Sequence, residues 1–220
     1  MIKHLLLYIL CYGLLYGTTL AQMGRKGQVT ATEEPKYLLL DKSLQFRITE
    51  AVNSLYNFDF ETAERGFSVM RYTYPDHPLP YFLMGLSQWW KMAPDTENTQ
   101  YDEIFLKYME ETIDKAEALY DADPTNKEAA FFLAAAYGFE GRLYSERESW
   151  TRAAFAGKNA LKYLELSRGE EELSVELLLG DALFNYFSVW IPKNYPLLRP
   201  IMMLFPEGDK DLGLRQLEEV

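Results

Sequence analysis

From Leu44 to the end of the chain, apolar residues return mostly at intervals of three and four, and prolines interrupt the rhythm at spaced points. Leu44, Ile48, Val52 and Leu55 fall on one helical stripe, as do Phe105, Tyr108, Ile113, Ala116 and Leu119. Residues three and four apart share a face of a helix, whereas a strand alternates with period two. Phe46 and Ile48 alternate briefly, and the pattern stops there. The breaks are Tyr74-Pro75-Asp76-His77-Pro78 and Asp123-Pro124-Thr125-Asn126, where proline and short polar residues close one helix and open the next. Helices punctuated in this way predict an all-α fold, and they call for a search for internal repeats.

The chain before that rhythm has two parts. Lys3 precedes an apolar run from Leu5 to Leu15, and Thr19-Leu20-Ala21 places small residues at −3 and −1 of a cleavage site before Gln22. That order predicts a secretory signal peptide over residues 1–21, and with it an exported protein. With Gly13 inside the run and Gly17, Thr18 and Thr19 after it, the segment falls short of the ~20 apolar residues that span a bilayer. No later segment reads as a transmembrane helix. Residues 22–43, polar at first and containing Gly24, Gly27 and Pro35, read as a flexible lead-in.

Residues 44–220 repeat. Asn57-Phe58-Asp59-Phe60-Glu61-Thr62-Ala63, followed by Phe67, Met70 and Pro75, spaces small, aromatic and second-position residues at four and three, with a proline five later. Tyr81, Met84 and Gly85 begin the next frame; Leu133, Ala134 and Tyr137 fall in register in a third. A fourth offers Leu179-Gly180 and Leu183, then Gly208-Asp209 followed by Gly213, Leu217 and Val220. This succession resembles the tetratricopeptide repeat, whose unit of about 34 residues is a helix pair that cannot bury its own apolar face alone. The resemblance implies a right-handed α-solenoid of about four helix pairs, with Gly85, Ala134 and Gly180 allowing close helix approach and Phe67 filling the space between helices. The copies depart in length: Met84 to Leu133 is 49 residues and Leu133 to Leu179 is 46. The extra residues are expected at Ala93 to Gln100, within Gly138 to Gly169, and at Trp190 to Pro206. Val220 falls ahead of the fourth copy's closing proline, so the repeat domain reads as cut short.

The inventory for catalysis is thin. Cys11 is the sole cysteine and His4 and His77 the only histidines, which leaves no thiol cluster for zinc and no disulfide. With 22 basic against 33 acidic residues the net charge is −11, which argues against nucleic-acid partners. Asp76-His77 could orient a general base, but it sits where a repeat-linking turn caps the next helix. Asp95-Thr96-Glu97-Asn98 lacks the Gly and Glu of a calcium loop, with Gln100 and Leu106 in their places. Glu110-Glu111 and Glu170-Glu171-Glu172 read as solvated helix faces or helix starts rather than a glycosidase pair. Gly138 to Gly141 has no Lys-Ser after it, so no phosphate loop is present. No catalytic residue, metal or cofactor is expected.

Trp89-Trp90 is the most informative pair. Adjacent helical residues point about 100° apart, so one narrow seam cannot take both. In the tetratricopeptide frame, Leu79, Phe82, Leu86, Trp89 and Trp90 line the concave face, beside Gln45, Ile48, Val52, Leu55 and Tyr56 of the first copy. Glu128, Phe131, Ala135, Gly138 and Phe139 of the third copy complete the row. Such a surface is apolar and aromatic, and burial in the core and partner binding both explain it. Phe82, Leu86, Trp89, Trp90, Phe131, Phe139 and Trp190 are the partner-binding candidates. The Pro-rich, apolar stretch Trp190 to Pro206 is expected to fold back on the helices, and its Phe205, with the Gly208-Asp209 that follows, resembles the tetratricopeptide-like T component of periplasmic solute transporters. The sequence therefore points to an exported, non-enzymatic scaffold binding an unknown protein or peptide in the periplasm or cell envelope. Small-molecule handling beside a transporter, in a pocket closed by the 190–206 stretch, is the alternative.

Overall fold

A computed structural model of the chain describes residues 36–167, 175–194, 196, 199–203 and 205–219. The segment read as a signal peptide, the lead-in up to residue 35, Glu170-Glu171-Glu172 and Val220 lie outside the described residues, as does the side chain of Leu179. The fold is all-helical, with no strand among the described residues. A short 3-10 turn, Leu38–Leu40, precedes α1 (Lys42–Tyr56), α2 (Phe60–Thr73), α3 (Pro78–Met92), α4 (Asp102–Ala122), α5 (Lys127–Glu146), α6 (Trp150–Ser167), α7 (Val175–Asn194), the four-residue α8 (Arg199–Met202) and α9 (Lys210–Glu219). Among the described residues, no helix is long and apolar enough to cross a membrane.

The polar residues at the breaks open the helices. The side chains of Asp41, Asp59, His77 and Asn126 each accept a backbone N–H from the first turn of α1, α2, α3 and α5, meeting donors that have no partner within a helix. Two inter-helix turns are built alike. At Asn57-Phe58-Asp59, between α1 and α2, Phe58 N–H bonds Leu55 O and Asp59 N–H bonds Ser54 O. At Arg147-Glu148-Ser149, between α5 and α6, Glu148 N–H bonds Ser145 O and Ser149 N–H bonds Tyr144 O. Both are Schellman closures, with Phe58 (φ 61°) and Glu148 (φ 56°) in the left-handed region that usually takes glycine.

Helices α1 to α7 pack on their neighbours in sequence, and α9 packs on α7 across the four-residue α8. Gly66 of α2 meets Ala51 of α1, and Gly85 of α3 lies so close to α4 that an added Cβ would strike Met109 Cε at 2.1 Å. Gly141 of α5 faces Ala153 to Gly157 of α6, and Tyr137 stacks on Tyr163 at 6.0 Å across the same pair. Gly213 of α9 lies against Ala182 and Tyr186 of α7. Each of these helix pairs thus has a glycine packed against the partner helix. Gly180 is looser, with its nearest neighbour atom, on Leu164, at 3.7 Å from an added Cβ. Phe67 is completely buried in the core with Leu44, Leu55, Phe105, Met109, Phe132 and Leu133.

The extra length has three structural outcomes. Residues 93–101 form a loop between α3 and α4. Over the described residues 138–167 the chain extends its helices, α5 having 20 residues and α6 18, with only the short turn at 147–149 between them. The 190–206 stretch begins as the last turn of α7, with Pro192 inside the helix, and its Phe205 ring sits over Gly157 of α6.

Candidate functional site

The sequence candidates divide into three groups in space. Phe82 and Trp89 of α3 interlock with Phe132 and Phe139 of α5 through edge-to-face contacts: Phe82 to Phe132 at 5.9 Å, Phe82 to Phe139 at 5.7 Å and Trp89 to Phe139 at 5.5 Å. Phe131 joins through Phe132 at 5.2 Å, and Trp89 also reaches Phe105 of α4 at 5.7 Å. Trp89 is only 6% exposed and Leu86 is also buried, so both belong to the interface between helices. Ring edges meeting ring faces add a modest attraction to the burial itself.

Trp90, half-buried, faces the other way. Its indole meets Tyr56 edge-on at 5.4 Å and Phe58 at 6.3 Å, and Phe58 meets Phe60 at 5.9 Å. Phe58 is the left-handed residue of the α1–α2 turn and is 54% exposed, a bulky ring displayed in a conformation that side chains rarely adopt. Next to this patch, the Glu64 carboxylate accepts from Ser87 Oγ at 2.7 Å, Gln88 Nε2 at 3.0 Å and Lys91 Nζ at 2.6 Å. Burial alone would raise the Glu64 pKa, but these three donors outweigh it and hold the carboxyl below its ordinary range. Trp190 stands apart on α7, against Phe187 at 5.9 Å.

The polar motifs have structural tasks. Asp76 forms an ion pair with Lys115 at 2.9 Å, while the His77 Nδ1 accepts the Leu79 N–H as the cap of α3. The two side chains therefore engage different partners. The carbonyls of Thr96 and Asn98 accept from the Arg147 guanidinium at 2.6 and 3.4 Å, and the same group forks onto both oxygens of Asp102 at 2.5 and 2.7 Å. The 93–101 loop is thereby pinned to the end of α5 by a planar, bidentate cation. Glu140 on α5 lies in a partly buried site with Glu110 of α4 nearby; burial, then that neighbouring charge, pushes its pKa up to about 7. No cluster of three or more metal-ligating side chains occurs among the described residues.

One site was not among the sequence candidates. Glu128, in the first turn of α5, is 3% exposed, and its two oxygens accept the backbone N–H groups of Leu38 and Leu39 at 3.1 and 2.7 Å. His77 Nε2 lies 3.4 Å from the same carboxylate. The end of the 22–43 segment is thus docked on the helices rather than loose. Glu128 stood in the inner-face row beside Phe131, and a lone acid among apolar neighbours was the available signal.

Taken together, the geometry defines an all-helical protein with one aromatic seam between α3 and α5 and a strap held across the start of α5. Compared with known protein families, curated proteins and solved structures, the chain matches none.

Proposed function

We propose that the chain is a right-handed α-solenoid of about four tetratricopeptide-like helix pairs, exported to the periplasm or cell envelope, where it is a non-enzymatic scaffold for a protein or peptide partner. The carrying observation is the pattern of contacts. Helices α1 to α7 pack on their neighbours in sequence, α9 packs on α7 across the four-residue α8, and beyond these α1 touches α3 and α3 touches α5. The like-built turns after α1 and α5 and the glycine in each close helix pair support the same reading. The leader pattern of residues 1–21 supports export.

Small-molecule handling draws less support, because Phe205 of the 190–206 stretch rests on Gly157 of α6. The test is affinity capture from the envelope fraction with the full-length protein, together with mass spectrometry of its N-terminus. A mature chain beginning at Gln22 and a stoichiometric protein partner are expected. Trp90 is the more exposed of the tryptophan pair, so Trp90→Ala should weaken binding of that partner by about 2 kcal/mol. Recovery of no protein, alongside saturable binding of a hydrophobic metabolite, would reverse the ranking.

A further inference from the structure

The strap in front of α1 is held by chemistry that reads main chain. Leu38 and Leu39 donate to opposite oxygens of one carboxylate, across 90 and 89 residues of sequence. A carboxylate as buried as Glu128 needs compensation, and here it comes from these two donors and from its place in the first turn of α5. His77 stands behind it: with Nδ1 accepting from Leu79, the ring turns its Nε2 toward Glu128. Without the strap, the acid would lose both backbone donors while remaining among apolar side chains. Two adjacent, unbonded N–H groups are what it would take up again.

Beside the acid lies a side-chain socket. Tyr37, 4% exposed, packs with Leu39, Leu40, Phe131 and Leu164. Its hydroxyl is buried with no hydrogen-bond partner among the described residues. The socket therefore suits an aromatic ring, and the phenol oxygen is a misfit in it.

We propose that Glu128, His77, Phe131 and Leu164 form a peptide-recognition site for an aromatic residue followed by two consecutive free N–H groups, held at rest by residues 37–40 and taken over by a partner segment of the same chemistry. The proposal rests on the scaffold reading and names the class of partner for it.

The test uses the full chain and the capped peptide Lys-Tyr-Leu-Leu-Leu-Asp, the sequence of residues 36–41. A release variant, Tyr37→Ser with Leu38→Pro, empties the socket and removes one donor, and proline suits the turn's backbone. The release variant should bind the labelled peptide at least tenfold more tightly than the unaltered chain, and Glu128→Gln added to it should weaken binding about tenfold. A peptide with Phe for Tyr should bind several-fold more tightly than the parent. Equal binding by both proteins, or none by a release variant with unchanged helicity, would overturn the proposal. Should that variant not fold, hydrogen exchange on the unaltered chain decides. Peptide should accelerate exchange of the Leu38 and Leu39 amides at least tenfold, and unchanged rates would overturn it. An envelope partner captured but not competed by the peptide leaves the scaffold reading standing and removes this site. Peptide binding without any envelope partner does the reverse.

Discussion

Two glycine-to-alanine changes, chemically identical, should move stability in opposite directions. Gly138 lies within α5 and Gly213 within α9, and neither needs a left-handed backbone. In both, alanine gains roughly 0.5–1 kcal/mol by restricting the unfolded chain and favouring helix. A Cβ at 138 meets nothing within 4 Å, so the whole gain should appear. A Cβ at 213 meets Ala182 O and Tyr186 N at 2.7 Å, and ordinary contact begins near 3.4 Å, so α9 must retreat from α7 by about 0.7 Å. Those atoms are backbone and cannot rotate away. Overpacking of this kind costs roughly 1–3 kcal/mol, leaving a net loss of up to about 2.5 kcal/mol, centred near 1, after the helix gain. The retreat also stretches the hydrogen bonds of Gln216 to Asn185 and Asp181, 3.0 and 2.7 Å long, which join the two helices. Denaturant titration gives the sign, and hydrogen exchange places it: faster exchange should be confined to α7 and α9. For a chain of this size Gly138→Ala should raise the melting temperature by about 1–4 °C. If Gly213→Ala stabilises as much as Gly138→Ala, the close approach of α9 to α7 is wrong.

Phe67→Ala should cost about 3–5 kcal/mol in a denaturant titration, because a completely buried ring leaves a cavity in the core. Arg147→Lys should destabilise by about 2–3 kcal/mol and expose residues 93–101 to limited proteolysis, since a point charge cannot serve Asp102 and two carbonyls together. Glu140 holds its proton up to about pH 7 when folded but releases it near 4.5 when unfolded, so its contribution is complete below 4.5 and lost as pH rises through 7. Thermal melts from pH 4.5 to 8 should show about 1–2 kcal/mol of this loss, discounted for the solvent that reaches the group, and Glu140→Gln should abolish it.

What the sequence made legible was whatever depends on neighbours along the chain. The three- and four-residue spacing located the helices, and the proline and Asn-Asp breaks located their ends, because capping and helix termination are local chemistry. Gly85 was readable as a close approach, since glycine inside an amphipathic helix has few other reasons to be there, whereas Gly180, read the same way, is looser. Trp89 and Trp90 were readable as facing apart, and the structure separates them into seam and surface patch. Whether α5 would lengthen or a loop would form within Gly138 to Gly169 was not legible, since both satisfy the same composition. Nor was the strap. Leu39 and Glu128 meet only because α1 to α5 bring them together, and no local pattern announces a partner 89 positions away.

That distance also fixes when the strap can form. In an array whose contacts join neighbouring helices, order spreads step by step, whereas closing a loop of 89 residues from the unfolded chain costs about 4 kcal/mol in the length-dependent part alone. The strap therefore docks after α1 to α5 have assembled, when the loop is already closed for it. Ordering about five residues then costs roughly 5–10 kcal/mol. Two bonds to a carboxylate return about 3–6 kcal/mol, and burial of Tyr37 with the flanking leucines about 3–6 more. The unpaired Tyr37 hydroxyl removes about 1–3 kcal/mol. The opposing terms nearly cancel and leave the strap closed by no more than a few kcal/mol, so it should open well before the helices do, and hydrogen exchange at Leu38 and Leu39 should run far ahead of exchange at Leu44 and Leu55 in α1. A contact so balanced is displaceable: a competing segment with the same two donors and a phenyl ring avoids the hydroxyl penalty and takes the site. Protection at Leu38 equal to that at Leu55 would mean the strap is a fixed part of the core.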